Sequence, residues 1–192
     1  MNFLVHLHLS DAAQLPLSGA ILGDLVRGRL EGRFPAALEQ SIRLHRRIDV
    51  VTDAHPLTQA ARARFPAERR RYAGIVLDLL YDHCMALDWP RSDTLAAFAR
   101  LAAAGVADDH EAWRLTDQTP PSRERFERLL SSYREPAGID QSLTRIATRL
   151  RNPELLLAAA DRWQAHIPLL RQEFPALLLE LEQATRAFSA PA

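Results

Sequence analysis

Prolines separate the apolar segments of this chain, and within those segments the apolar residues recur with the period of a helix. The twelve prolines stand mostly between the segments, as expected where a residue that removes an interior helical hydrogen bond marks the ends of helices. No run of useful length alternates apolar and polar residues, as a half-buried strand would. The pattern therefore predicts an all-α fold of many helices joined by short connections.

The same punctuation sets the expected bounds of the helices, to within a few residues at each end. They are predicted at residues 3–13, 16–28, 36–54, 57–65, 69–89, 93–104, 121–134, 140–151 and 154–188. The last is expected to break or bend at Pro168 and Pro175. Residues 105–122 form the most irregular stretch, where we expect a hinge or a substrate-facing loop.

Length and composition fit a single domain over residues 1–192, with 47% hydrophobic and 25% charged residues. A chain of this size buries about 70% of the surface that its unfolded form exposes, so it needs no disulfide or structural metal to hold a core. The single cysteine, Cys84, fits a reducing compartment. The N-terminus lacks the features of a signal peptide, and no apolar run is long enough to span a membrane. We therefore expect a cytoplasmic location and no membrane partner.

Basic and acidic side chains balance, with 24 of each, and every basic one is arginine. The neutral total argues against a nucleic-acid partner, because such binding needs an excess of positive charge. Without lysine, an anion held by a charged side chain would be held by a guanidinium fork. The balance still permits an acidic protein partner if many of the acids face inward and the arginines face outward.

Polar residues interrupt the apolar pattern of the helix predicted at 36–54. His45, Asp49 and Asp53 follow one another at intervals of four residues, so they line one face of a helix. A solvated stripe of His–Asp pairs would give the same spacing. Against that interpretation, apolar residues such as Val51 interleave with the stripe and leave little of this helix to face water.

A second interruption lies inside one of the most apolar runs of the chain. Asp78 and Asp82 are one helical turn apart there, and His83 follows directly. A buried carboxylate is costly unless it is paired or binds a cation. Carboxylates and imidazoles from two helices would form a mixed oxygen and nitrogen ligand set, suited to Mn²⁺, Mg²⁺ or iron. The alternative is a buried ion-pair network with nearby arginines.

Two weaker indications of a functional site lie nearer the N-terminus than these segments. Asp24 lies among apolar neighbours, beside glycines that permit another backbone or a ligand to approach closely. Near the N-terminus, His6 and His8 are two residues apart and so fall on different sides of a helix. We expect one of them to act as a ligand or as an acid–base group, and the other to be structural.

In this order, the segments resemble the acyl carrier protein phosphodiesterases, also called holo-acyl-carrier-protein hydrolases. The matching segments are Met1–Leu9, Gly23–Gly28, His45–Asp49 and Asp78–His83. Beyond about residue 90, only helical character and length agree with the family. One departure is visible, because Ala20 stands where the family usually has Asn. An amide contact that the resemblance implies is therefore missing or replaced at that position.

The resemblance implies an HD-like, all-helical, metal-dependent phosphohydrolase. Such an enzyme removes 4′-phosphopantetheine from the serine of holo-acyl carrier protein, with manganese (Mn²⁺) preferred and Mg²⁺ or Fe²⁺ as alternatives. Carried over by position, the implied metal ligands are His45, Asp49, Asp82 and His83. The implied catalytic groups, which would orient the attacking water or transfer protons, are Asp24, Asp78 and His6.

The resemblance also implies an acidic partner, because acyl carrier proteins are small, acidic and helical. The arginines expected to hold the phosphate or dock the carrier are Arg27, Arg46, Arg47, Arg69, Arg70 and Arg71. Two alternatives stay open: another HD-type phosphohydrolase that acts on a nucleotide, and a non-catalytic helical module that binds an acidic partner. The sequence does not distinguish a monomer from a homo-oligomer.

Overall fold

A computed structural model describes residues 3–116 and 118–189, and within these ranges the chain forms helices and turns but no strand. The helices are α1 (Phe3–Ala12), α2 (Leu17–Leu25), α3 (Ala36–Ala54), α4 (Pro56–Ala63), α5 (Arg70–Leu87), α6 (Leu95–Ala107), α7 (His110–Arg114), α8 (Arg123–Ser132), α9 (Pro136–Ala147), α10 (Pro153–Ala159) and α11 (Ile167–Ser189), with a 3₁₀ helix at Trp163–His166. The predicted all-α fold is confirmed. Met1 and Asn2 of the N-terminal motif lie outside the described residues. No helix in the described ranges has both the length and the apolar character needed to cross a membrane.

The stretch expected to be irregular contains a short helix, α7, that the sequence analysis did not predict. The carboxylate of Asp109 caps it by accepting a hydrogen bond from the backbone N–H of Ala112 at 3.2 Å. Asp109 also accepts a hydrogen bond from the Ser18 hydroxyl of α2. The contact with a distant helix explains why local pattern alone missed this element.

The long C-terminal helix predicted at 154–188 is two helices. The first ends at Ala159, and the chain then turns through Arg162, whose φ of +55° is incompatible with a continuous right-handed helix. Pro168 lies in the first turn of α11, where its missing N–H leaves no bond unmade. Pro175 lies inside α11 and does not end it. The break therefore comes earlier than either proline predicts.

Helix α1 lies at the centre of the fold. Its side chains from Leu4 to Ser10 are all buried, including both histidines. It contacts α2, α3, α5 and α11, so helices from both halves of the sequence cover it. Because residues 4–10 of α1 are buried on every side, their polar side chains must find partners inside the protein.

Helices α2 and α3 pack closely because two glycines of α2 face α3. A Cβ atom added to Gly19 would lie 2.4 Å from the Cβ of Ser41, and one added to Gly23 would lie 2.2 Å from the Cγ of His45. Side chains do not tolerate such distances, so glycine is required at both positions. The Ser41 hydroxyl also donates to the carbonyl of Pro16 at 2.7 Å. This close approach places His45 directly against the backbone of α2.

Candidate metal centre

Helices α1 and α3 bring His6, His45 and Asp49 together, and one potential ligand atom of each lies within 4.8 Å of the others. The Nε2 atom of His6 is 3.0 Å from Oδ1 of Asp49. The Nε2 atom of His45 is 3.2 Å from Oδ2 of the same carboxylate. Across residues 3–116 and 118–189, no other three His, Cys, Asp or Glu side chains converge in this way.

Asp24, at the end of α2, adds a second carboxylate to the group. Its Oδ1 atom lies 3.5 Å from Nε2 of His45. The side chains of His6 and His45 are only 3% and 2% exposed, whereas those of Asp24 and Asp49 are 27% and 52% exposed. The imidazoles thus form a buried floor and the carboxylates form the side open to solvent, through which an ion or a substrate can approach.

A backbone carbonyl fixes the orientation of the His45 ring. The Nδ1 atom donates a hydrogen bond to the carbonyl of Ala20 at 2.7 Å. In the neutral ring, the proton is therefore on Nδ1, and the lone pair of Nε2 points at the carboxylates. This Nε2 atom is buried and has no partner in hydrogen-bond geometry among the described residues. Metal-binding histidines are commonly held in this way by their other nitrogen.

The hydrogen bond to this carbonyl bears on position 20, where the chain has an alanine and departs from the family pattern. The bond to His45 is made by the main chain of Ala20, not by its side chain. An alanine therefore leaves the orientation of the ring unchanged. The amide that the family usually places there would make a different contact.

The electrostatics of the site suit a bound cation. Burial lowers the pKa of His6, and the neighbouring His45 lowers it further. Burial opposes protonation of His45 as well, but hydrogen bonds and charge from Asp24 and Asp49 outweigh it and raise the pKa of His45 to about 9. The two histidines hold the pKa of Asp49 well below its usual range despite burial. The two carboxylates thus stabilise positive charge on His45, and they would stabilise a bound divalent cation in the same way.

Asp82, predicted as a ligand, contacts the start of α1 instead of this group. Its carboxylate oxygens accept hydrogen bonds from the backbone N–H groups of Leu4 and Val5 at 3.1 and 3.0 Å. These are among the N–H groups that a helix leaves unpaired at its N-terminus. Asp82 is fully buried, and burial raises its pKa to about 8. The carboxylate therefore anchors the helix that carries His6.

His83 and Asp78 also lie outside the group. Nδ1 of His83 donates to the carbonyl of Tyr133 at 2.6 Å, and its ring meets the edge of Trp163. Asp78 is half-buried on α5, one turn before Asp82. The ligand and catalytic roles implied for these residues stay predictions, because the structure does not bring them to His6, His45 and Asp49.

Sequence spacing alone did not separate members of the group from their neighbours. Asp53 continues the i, i+4 series of α3, but it is exposed and pairs with Arg62 on the surface. His8 faces away from His6, and its Nε2 atom lies 3.5 Å from Glu182 of α11. The two histidines of α1 thus lie on different sides of the helix, as their two-residue spacing predicts. The missing signal was the packing of α1 against α3, which the sequence does not encode locally.

The six arginines predicted to bind the partner fall into two sets. The first set donates hydrogen bonds to backbone carbonyls and comprises Arg46, Arg69 and Arg70. The second set is exposed, and no carboxylate of the described residues lies within ion-pair distance of it; it comprises Arg27, Arg47 and Arg71. Among these six arginines, only the second set has guanidinium groups with no partner among the described residues.

Comparisons with known proteins agree on one family. The sequence model of the family described as acyl carrier protein phosphodiesterase matches residues 1–181. The acyl carrier protein phosphodiesterase of Salmonella newport is 36% identical over 189 residues, which cover 91% of this chain and 92% of that protein. The protein of the same name from Photorhabdus laumondii is 47% identical over 109 residues, 55% of each chain. No solved structure matches the chain. Over nearly its whole length, the chain belongs to the acyl carrier protein phosphodiesterase family.

Proposed function

We propose that this protein hydrolyses the phosphodiester that links 4′-phosphopantetheine to the serine of holo-acyl carrier protein, releasing the apo protein. The family match and the names of the relatives support the reaction class and the substrate. The convergence of His6, His45 and Asp49 supports a metal-dependent reaction. The buried Nε2 atom of His45, aimed at two carboxylates, is the observation that carries this part of the proposal.

In this proposal, His6, His45 and Asp49 hold a divalent cation, with Asp24 as a fourth ligand or as the group that orients the attacking water. Two imidazoles and two carboxylates suit Mn²⁺ or Fe²⁺ and, less closely, Mg²⁺. When bound, such a cation supplies a water of lowered pKa as the nucleophile. The geometry favours His6 and Asp24 in the places that the resemblance gives to Asp82 and His83.

The side chains around the cation would divide the remaining tasks. Asp24 is part-exposed at the solvent side of the group, where it can hold the proton of a water in line with the phosphorus. The serine oxygen that leaves needs a proton as charge develops on it. Buried His6 and His45 keep the centre ordered and exclude bulk water from its inner side.

The proposal extends to architecture and location. We propose that residues 1–192 form one domain of the HD-like type that the resemblance implies. The contacts of α2, α3, α5 and α11 with the central α1 support a single domain. Cys84 is buried and unpaired, as expected for a cytoplasmic protein. The partner is the acidic carrier protein and not a nucleic acid.

Intact-protein mass spectrometry tests this function directly. Holo-acyl carrier protein incubated with the enzyme and Mn²⁺ is expected to lose the mass of 4′-phosphopantetheine, and prior removal of metal is expected to abolish the loss. Asp49→Ala should also abolish it, whereas His110→Ala, at an exposed position on α7, should not. Nucleotide hydrolysis with an unchanged carrier would favour the other HD-type phosphohydrolase. Carrier binding without turnover, and without metal by elemental analysis, would favour the non-catalytic module.

A further inference from the structure

The connection between α2 and α3, residues 26–35, is tied to α3 by one arginine. The guanidinium of Arg46 donates from Nη2 to the carbonyl of Val26 at 2.6 Å and from Nη1 to the carbonyl of Gly28 at 2.9 Å. Arg46 directly follows His45 on α3. One guanidinium therefore joins the candidate metal centre to two alternate carbonyls of this connection.

A second arginine, Arg33, donates hydrogen bonds to the neighbouring carbonyls to which Arg46 does not bond. Nη1 of Arg33 donates to the carbonyls of Arg27 and Arg29 at 2.9 and 3.0 Å. The backbone N–H groups of Arg33 and Phe34 in turn donate to the carboxylate of Glu39 at 2.8 and 3.2 Å. Four consecutive carbonyls, at residues 26–29, are thus all bonded to guanidinium groups. Surface connections are usually mobile, but this one has its backbone fixed by charge-assisted hydrogen bonds.

The same segment leaves two guanidinium groups free. Arg27 and Arg29 are exposed, and no carboxylate of the described residues lies within ion-pair distance of either. Thirteen of the other 22 arginines of the described chain pair with a carboxylate or bond to a carbonyl. A rigid backbone that carries two unpaired cations is typical of an anion-binding element, because little ordering remains to be done when the anion arrives.

This element lies next to the candidate metal centre. Arg27 comes three residues after Asp24, and three residues span no more than about 11 Å even when fully extended. The Asp24 carboxylate is itself 3.5 Å from Nε2 of His45. The short stretch of chain between them therefore permits an anion bound to Arg27 to contact a cation held by the histidines.

We propose that residues 26–29 form a pre-organised phosphate-binding element, in which Arg27 and Arg29 bind the substrate phosphodiester and Arg33 and Arg46 are positioning residues. This inference rests on the proposed function for the identity of the substrate. The guanidinium fork matches the two non-bridging oxygens of a phosphodiester. Arg46, which the sequence analysis placed among the partner-binding residues, acts here only through the backbone that it holds.

Steady-state kinetics with holo-acyl carrier protein test the division of roles. Arg27→Ala and Arg46→Ala are each expected to lower kcat/KM by roughly tenfold or more. Arg46→Lys should not rescue the loss, because one ammonium group lacks the planar fork that reaches two carbonyls. If Arg46 acts through Arg27 and Arg29, Arg46→Ala costs little once Arg27→Ala and Arg29→Ala are both present. Arg100→Ala, at an exposed position on α6, is the matched control and should leave kcat/KM unchanged.

A full additional loss from Arg46→Ala when Arg27→Ala and Arg29→Ala are both present would overturn the proposal. So would a loss of Mn²⁺ affinity in Arg46→Ala as large as that in Asp49→Ala, because Arg46 would then support the metal group and not the phosphate. Full rescue by Arg46→Lys would equally contradict a role that depends on two simultaneous bonds.

Two readouts do not depend on turnover. Hydrogen exchange of the backbone amides of Arg33 and Phe34, which are hydrogen-bonded within this connection, should accelerate in Arg46→Ala relative to the unmodified protein. Calorimetric titration with inorganic phosphate, with and without Mn²⁺, should show binding that weakens roughly tenfold in Arg27→Ala. Unchanged exchange, or phosphate binding indifferent to Arg27, would overturn the proposal even if the carrier is hydrolysed. Failure to hydrolyse the carrier would overturn the proposed function while these two measurements still decide the role of the element.

Discussion

The imidazole rings of His6 and His45 stack face to face, with 3.9 Å between their centroids and 20° between their planes. Two protonated rings so close would repel each other. Burial and the neighbouring ring lower the pKa of His6, whereas Asp24 and Asp49 raise that of His45 to about 9. The pair therefore holds its proton on His45 near neutral pH, and a bound cation has to displace that proton.

The first prediction concerns the pH dependence of metal binding. Because His45 must lose its proton, the affinity for Mn²⁺ should rise with pH by up to tenfold per unit and level off near pH 9. Isothermal titration calorimetry in buffers of different ionisation enthalpy should detect release of about one proton per ion bound. An affinity that stays constant between pH 6 and pH 8.5 would contradict the ligand role of His45.

The second prediction separates the observed group from the residues that sequence spacing favoured. His6→Ala and Asp49→Ala should each weaken Mn²⁺ binding by roughly 100-fold, because each removes a proposed ligand. His83→Ala should leave the affinity within about threefold, since its Nδ1 atom bonds to the Tyr133 carbonyl away from the group. Metal titrations followed by calorimetry measure all three. The reverse order of effects would restore the ligand set implied by the resemblance.

The third prediction concerns the close approach of α2 to α3. Gly23→Ala would place a methyl group 2.2 Å from Cγ of His45, so the ring or the helix must move. We expect a loss of roughly 1–3 kcal/mol in the free energy of unfolding and weaker Mn²⁺ binding. Gly74→Ala is the control, because its methyl group would meet only the flexible end of Arg62 at 3.0 Å. Chemical denaturation and metal titration of both variants provide the comparison.

The fourth prediction uses the buried carboxyl group of Asp82. Its pKa is raised from 3.8 to about 8, so folding favours the protonated form. The stability that this group contributes is fully present below its ordinary pKa and is lost as pH rises to about 8. Asp82→Asn mimics the protonated form and should show no such loss of stability. Between pH 5 and pH 8, the difference in Tm between Asp82→Asn and the unmodified protein should therefore shift by several degrees in favour of the variant. If the Tm of the two proteins changes equally with pH, the carboxyl group is not protonated at neutral pH.

Residue spacing predicted the local part of the site, whereas the part that depends on packing was indicated only by the family resemblance, which named His6 and Asp24 as catalytic groups. His45 and Asp49 lie one turn apart on one helix, so their spacing alone predicts that they converge. His6 joins them only because α1 packs against α3, and no local pattern records that contact. Asp82 was correctly recognised as a buried carboxylate in need of partners. Its partners are backbone N–H groups of α1, which carry no sequence signature.

For the helices too, sequence patterns predicted the elements that depend on local signals and missed those that do not. Apolar periodicity and proline placement predicted most of the helices, because both signals are local. The break after Ala159 was missed because it depends on the left-handed backbone of Arg162, a residue type with no preference for that conformation. Helix α7 was missed because its cap, Asp109, is held by Ser18 from a distant helix.

Because His45 bonds to the carbonyl of Ala20, the main chain determines which nitrogen of the ring carries the proton. Every amino acid at position 20 presents the same carbonyl, so substitution there changes the volume beside the ring but not the nitrogen that the ring offers to a metal. A substitution at this position can thus change the shape of the candidate site without changing the ring nitrogen that it presents. Only a change that shifts α2 itself, such as the loss of Gly19 or Gly23, would affect both at once.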